Sequence, residues 1–223
     1  MSEAKWSAVD DYICDLFVGD DPILAAALAA SDAAGLPAIA VAPNQGKLLH
    51  LLARMQGARA ILEIGTLGAY STIWLARALP ADGRLTTLET NAKHAAVARA
   101  NIDRAGLASI VDLRLGPALE TLPQLAGPFD LIFIDADKES NADYFRWALK
   151  LSRRGSLIIV DNVVRDGKVI DARSRDPLVR GVRRLYDAMA TEPRVSATAI
   201  QTVGRKGYDG FAIALVTEAI AGD

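Results

Sequence analysis

Cysteine is nearly absent. Cys14 is the only one in 223 residues, so neither an intrachain disulfide nor a four-thiolate zinc site can form. Histidine is almost as scarce: with His50 and His94 the only imidazoles, any metal site has to be built mainly from oxygen ligands. There is no excess of positive charge either. The 25 Lys and Arg stand against 27 Asp and Glu, for a net charge of −2. That argues against a dedicated nucleic-acid binder, which carries a strong basic excess, and leaves room only for a local basic patch. Long apolar runs are missing too. The most apolar stretch, 22–43, is broken by Ser31, Asp32 and Gly35 and reads as two helices or a helix and a loop, not as a membrane span. A secretory signal needs a basic start and an apolar core, whereas the N-terminus carries Glu3, Asp10, Asp11 and Asp15; the expected location is the cytoplasm.

What is present is the balance of a globular chain, with 51% hydrophobic and 23% charged residues. The length suits one domain able to bury a full core without staples. The first third reads as helices over 6–18, from Pro22 to about 33, and 45–55. From residue 59 short apolar runs (60–64, 85–88, 111–115, 131–134 and 157–160) alternate with helical segments at 71–79, 91–105 and 141–151, and a shorter one within 117–125. Runs this continuous in Ile, Leu, Val and Phe suit strands covered on both faces. The alternation predicts an α/β fold with a doubly wound, parallel sheet. Two last runs, 195–203 and 211–216, joined by 204–210, predict an antiparallel hairpin at the sheet edge. The expected organisation is a single domain, with a helical cap over 1–57 and an α/β core over 58–223.

Ligands of open α/β sheets sit outside the carboxyl ends of the strands. Four of the five parallel strands bring a carboxylate to that edge: Glu63, Glu89, Asp135 and Asp161. Burying them together without partners is costly, so donors or positive charge are expected there. The turn Gly65-Thr-Leu-Gly68 lacks the full dinucleotide fingerprint, but glycine lets a ligand approach the backbone, Ser71 offers a hydroxyl, and Glu89 is placed to hold the two hydroxyls of a ribose. The second constellation is Asp135-Ala-Asp-Lys138 with Asp161-Asn162. Adjacent strands lie about 4.8 Å apart, so two carboxylates and an amide oxygen there suit one hard cation: magnesium, calcium or manganese. The plainer alternative is that Asp137 caps a helix and Asp161-Asn162 forms an Asx turn. Lys138 reads either as a surface lysine paired with a neighbouring acid or as a general base, since a nearby cation and partial burial both disfavour its ammonium form.

Three runs in order, Ile61-Leu-Glu-Ile-Gly-Thr-Leu-Gly-Ala-Tyr-Ser71, Phe129-Asp-Leu-Ile-Phe-Ile-Asp-Ala-Asp-Lys138 and Asp161-Asn-Val163, resemble class I S-adenosylmethionine-dependent O-methyltransferases. The likeness is to the cation-dependent group that includes caffeoyl-CoA and catechol O-methyltransferases, and it extends over about 6–216. The resemblance implies a Rossmann-like sheet of seven strands with the last one reversed, and a homodimer. It implies that Glu63, Gly65, Thr66 and Ser71 line the methionine and ribose side of the cofactor S-adenosylmethionine. By the same likeness Glu89 takes the ribose hydroxyls, Ala118 approaches the adenine, Val41 offers a backbone contact, and Asp135 and Asp137 also contact the cofactor. Asp135, Asp161 and Asn162 match the ligands of a divalent cation, magnesium first, with calcium or manganese as alternatives. Lys138 matches the base. The expected acceptor is a catechol-like small molecule, with no membrane partner.

Three other readings stay open at this level. One is a tRNA hydroxyuridine O-methyltransferase, for which the basic stretch 165–184 is the only support, and its interleaved acids suit a solvated mixed face equally well. The others are a nicotinamide-dependent reductase and a non-catalytic cofactor-binding protein. His50, His94 and the three tryptophans read as surface or packing residues.

Overall fold

The computed structural model describes residues 2–218. The chain opens with α1 (Glu3–Phe17). Asp21 then caps α2 (Pro22–Ala33): its Oδ1 accepts the N–H groups of Ile23 and Leu24 at 3.0 Å, and Pro22 occupies the first turn, where no N–H is needed. Helix α3 (Pro43–Met55) also starts with proline. Strands and helices alternate thereafter: β1 (Ala60–Ile64), α4 (Tyr70–Ala76), β2 (Arg84–Glu89), α5 (Ala92–Arg104), β3 (Val111–Leu115), α6 (Ala118–Thr121), β4 (Phe129–Ile134), α7 (Asn141–Lys150) and β5 (Ser152–Asp161). Helix α8 (Pro177–Ala190) leads into the hairpin of β6 (Val195–Gly204) and β7 (Gly207–Val216).

The strands form one seven-stranded sheet in the order β3-β2-β1-β4-β5-β7-β6. Strands β1 to β5 are mutually parallel, and β7 runs antiparallel to both its neighbours, β5 and β6. The last strand is therefore the reversed one, as the resemblance implied. Side chains alternate across the sheet because the strand period is two. In β4, Leu131 and Phe133 join a core with α3, α4 and the α2 residues Leu24 and Ala27; Ile132 and Ile134 join the opposite core with α7 and α8. Both faces are covered, which explains why most of the inner strands read as near-continuous apolar runs.

The sequence pattern missed α8. Val179, Val182, Leu185 and Met189 are buried along it at helical spacing, and Asp176 caps it through the N–H of Leu178 at 2.9 Å. The arginines interleaved with them masked the stripe. The hairpin turn is also tighter than expected. Tyr208, Asp209 and Gly210 are polar or small, yet they pair with Val203, Thr202 and Gln201 as strand, leaving only Arg205 and Lys206 as the loop.

The cap is tied to the hairpin turn. Asp10 of α1 accepts from the Asn44 amide at 2.8 Å and from the N–H of Arg205 at 2.7 Å. Arg205 pairs with Asp11, and the Lys206 ammonium donates to the Ala38 carbonyl at 3.0 Å. Among the described residues no helix is long and apolar enough to cross a membrane.

Candidate active site

Strand order reverses between β1 and β4, and the connections leave on opposite faces there. A cleft of about 510 Å³ opens at that point along the carboxyl ends of the strands. Its floor is the turn after β1. Gly65 sits at φ +100°, and a Cβ there would collide with the carbonyl oxygen of Asp135, so β1 and β4 can end this close together only because the side chain is missing. Leu67 and Ala69 also hold left-handed backbone in this turn.

Most of the expected cofactor residues line this cleft: Val41, Gly65, Thr66, Ser71, Glu89, Ala118, Asp135 and Asp137, together with Lys138 and Asn162. Glu63 does not. It is fully buried behind the wall, where its carboxylate accepts from the hydroxyls of Ser71 at 2.7 Å and Thr87 at 2.6 Å, and from that of Thr72. The first-strand glutamate is thus a support for the lining hydroxyl of Ser71, because its side chain points into the packed layer below the turn. Burial pushes its carboxyl up to about 7, against the hydroxyls that favour the charged form; the charge of Asp135 pushes the same way as burial.

Glu89 ends β2 with both oxygens engaged. Oε2 accepts the N–H of Leu67 at 2.8 Å and Oε1 that of Asn91 at 2.9 Å. Each oxygen keeps a further lone pair toward the cleft. His94, on α5, stands 3.6 Å from Oε1 and lines the cleft too. The sequence reading set this histidine aside; the signal was its place five residues beyond a strand-end glutamate, on the first turn of the next helix.

The ends of β4 and β5 form the acidic half. The Lys138 ammonium donates to Asp135 Oδ1 at 2.8 Å, with the lysine side chain 9% exposed and the aspartate side chain 25%. Asp161 is buried, and its carboxyl is pushed up to about 7 by burial and by the negative charge of Asp135; Lys138 and hydrogen bonds from Asn162 and Gln45 only partly offset this. Two carboxylates and one ammonium share this spot, and Asn162 adds an amide oxygen. Among the described residues there is no group of three or more His, Cys, Asp or Glu side chains able to hold a metal. The donor set is instead two carboxylates and an amide, all oxygen and short of positive charge, which suits a hard cation.

The plainer contacts are made as well: Asp137 accepts the N–H of Ser140 at 2.9 Å, and Asp161 Oδ1 accepts the N–H of Asn162 at 2.9 Å. Asp137 further accepts the hydroxyl of Tyr144, another cleft residue that the sequence reading missed. Burial works against the Asp137 carboxylate, but the hydrogen bonds from Tyr144 and Ser140 outweigh it and hold it below the usual range.

A second cavity of about 210 Å³ adjoins the first, between the cap and the hairpin. Asn44, Gln45 and Leu48 of α3, Asp161, Lys206, Asp209 and Phe211 are in its wall. Asn162 lines both cavities. The acidic group therefore stands where a long cleft and a small pocket meet.

A doubly wound sheet with a reversed final strand and a strand-end cleft over a glycine turn is the build of a Rossmann-like methyltransferase. The chain belongs to the O-methyltransferase family, whose model matches residues 18–214. It is 56% identical over 220 residues to a catechol O-methyltransferase of Niastella koreensis, covering 97% of this chain and all of that one. It is 59% identical over 209 residues to a catechol O-methyltransferase of Mycobacterium tuberculosis, covering 93% and 94%. The crystal structure of an O-methyltransferase from Bacillus cereus in complex with S-adenosylhomocysteine superposes with a TM-score of 0.95 at 57% identity, covering 97% of this chain and all of that one.

Proposed function

We propose that this O-methyltransferase moves a methyl group from S-adenosylmethionine to one hydroxyl of a catechol-like aromatic, with a divalent cation held by Asp135, Asp161 and Asn162. The observation that carries the reading is the placement of Asn162 in both cavities, beside two carboxylates and a buried lysine. The methyl donor then occupies the long cleft and the acceptor ring the small one. The names of the relatives support the acceptor class, and the bound S-adenosylhomocysteine in the Bacillus cereus structure supports the donor.

In this reading Glu89 takes the ribose hydroxyls with its remaining lone pairs, while Thr66 and Ser71 border the methionine end. Asp137, held charged by Tyr144, faces the donor. When bound, the cation supplies Lewis acidity that stabilises a phenolate at neutral pH, where a free phenol of pKa about 10 stays protonated. Lys138 is the group assigned to accept the phenol proton. The oxygen lone pair forms the new bond to the methyl carbon as the carbon–sulfur bond breaks and sulfur keeps that electron pair. Holding oxygen, carbon and sulfur in line is the main task of the two joined cavities, because positioning supplies several kcal/mol of rate enhancement.

In the basic stretch 165–184, Arg173, Arg175 and Arg180 are exposed, while the other four cations have partners within the chain. Arg165 faces Asp209, Lys168 faces Asp166, and Arg183 and Arg184 donate to the carbonyls of Val169 and Glu139. A homodimer of the chain, in the cytoplasm, completes the proposal; exposed Val9, Tyr12, Leu16 and Phe17 on α1 offer an apolar surface for it.

The test is a methyl-transfer screen over vicinal dihydroxy aromatics and hydroxylated tRNA, with magnesium and with chelator. Turnover on a catechol that chelator abolishes and magnesium restores is the expected outcome. Catechol turnover indifferent to chelator would refute the cation, and turnover on tRNA alone would refute the acceptor.

A further inference from the structure

We propose that Asp209 is a positioning residue for the cation site: from β7 it fixes the turn that carries Asn162 and so sets where that amide oxygen stands. The inference rests on the cation reading above. After Asp161 the chain leaves β5 through an unusual turn. Asn162, Arg165 and Asp166 have φ of 57°, 56° and 55°, and Gly167 follows at 76°. Side-chain-bearing residues seldom adopt this region, and arginine has no local hydrogen bond that favours it as asparagine has. A turn with three such residues in five persists only where its surroundings dictate it.

The strand that supplies those surroundings is β7. Asp209 Oδ1 accepts the N–H of Val164 at 2.9 Å and that of Arg165 at 3.0 Å, and its Oδ2 faces the Arg165 guanidinium at 3.7 Å. The backbone on either side of Asp209 completes the clamp: Val163 N–H donates to the Gly210 carbonyl at 3.1 Å and Asp166 N–H to the Tyr208 carbonyl at 3.1 Å. The Tyr186 hydroxyl donates to the Val163 carbonyl at 2.9 Å from the other side. Asp161 Oδ1 holds the first amide of this turn, that of Asn162, and Asp209 alone among the described side chains accepts from the amides beyond it, at two successive residues. Without it the left-handed residues relax toward ordinary φ, and Asn162 turns with them. Asp209 itself also lines the small cavity, so the same carboxylate ties the wall of that pocket to the end of β5.

The test compares Mn²⁺ binding, read from the electron paramagnetic resonance of the free ion, for the parent chain, Asp209→Ala and Asp209→Asn. Loss of an outer-shell partner weakens metal affinity about 10- to 100-fold. Asp209→Ala is expected to bind Mn²⁺ at least about tenfold more weakly while still holding S-adenosylhomocysteine. Asp209→Asn keeps an oxygen at the Oδ1 position and recovers most of the loss. If Asp209→Ala does not fold, Asp209→Ser, whose hydroxyl is too short to serve both amides, takes its place with the same expectation. Parent-like Mn²⁺ affinity in the alanine or serine chain overturns the inference, as does an asparagine chain no better than them. A parent chain that takes up no Mn²⁺ overturns the cation reading itself, and the inference falls with it; the order of measurement separates the two failures.

Discussion

Replacing Glu63 by glutamine removes an ionisable group from the layer beneath the cleft and leaves its shape unchanged. In the folded chain the carboxyl is pushed up from an ordinary 4.5 to about 7, by burial first, with the hydroxyls of Thr72, Thr87 and Ser71 pulling the other way. The folded value lies above the unfolded one, so between those two pH values the folded chain holds a proton that the unfolded chain releases. The stability this proton confers is complete below pH 4.5 and is lost as pH rises to about 7. At 1.36 kcal/mol for each pKa unit, the full effect is about 3 kcal/mol. Glutamine cannot ionise, so the parent chain should lose about 3 kcal/mol relative to Glu63→Gln between pH 4.5 and 8. For a chain of this length that moves the difference in melting temperature by roughly 6–12 °C. At low pH the glutamine chain should be the weaker by about 1 kcal/mol, because its amide nitrogen accepts nothing from the hydroxyls. Urea denaturation of both chains at pH 5, 6, 7 and 8, without cofactor, measures this. A stability difference that stays flat over that range would show that Glu63 ionises like an exposed carboxylate, and the electrostatic account of the β1 turn would be wrong.

Asp130→Ala should cost about 3 kcal/mol in urea denaturation, since this buried carboxylate accepts the N–H groups of Arg59 at 2.8 Å and Ala60 at 2.9 Å and pairs with Arg153; a loss under 1 kcal/mol would contradict it. Gly181→Ala places a methyl group against the carbonyl of Lys138, so α8 has to move away from that turn. It should destabilise the chain by about 1–3 kcal/mol and lower kcat more than it raises the donor KM, and unchanged kcat would show that α8 does not set the lysine. Lys138→Met keeps the length of the side chain and removes its nitrogen. It should lower kcat on a catechol by at least about 100-fold while S-adenosylhomocysteine binding, followed by calorimetry, stays near that of the parent.

The inner sheet was legible because burial on both faces leaves a simple trace: β1 and β4 are apolar runs interrupted only by Glu63 and Asp130, and the residues that stop them, Gly65 and Asp135, lie at the cleft. The edges were harder. In β7, Tyr208 to Gly210 read as loop because their composition is that of a turn, and only pairing with β6 makes them strand. Helix α8 was hidden because its buried stripe is interleaved with Arg180, Arg183 and Arg184, whose charge drew attention away from the spacing of Val179, Val182 and Leu185. Strand-end residues found the cleft by position alone. The direction in which a side chain points was beyond reach: Glu63 and Ser71 are both near the turn, but only the serine faces the cavity. His94 was set aside, and Tyr144 and Asp209 escaped notice, because their roles come from partners distant along the chain or on another element.

Asp10 of α1 receives the N–H of Arg205 in the hairpin turn, and Asp10 itself stands in the wall of the smaller cavity. The cap and the hairpin are in effect buckled together beside that pocket. Whatever loosens α1 or the hairpin turn pulls on that buckle from either side. A substitution in the first helix and one in the hairpin turn are therefore expected to act on the same wall, and their effects on that pocket should not be additive.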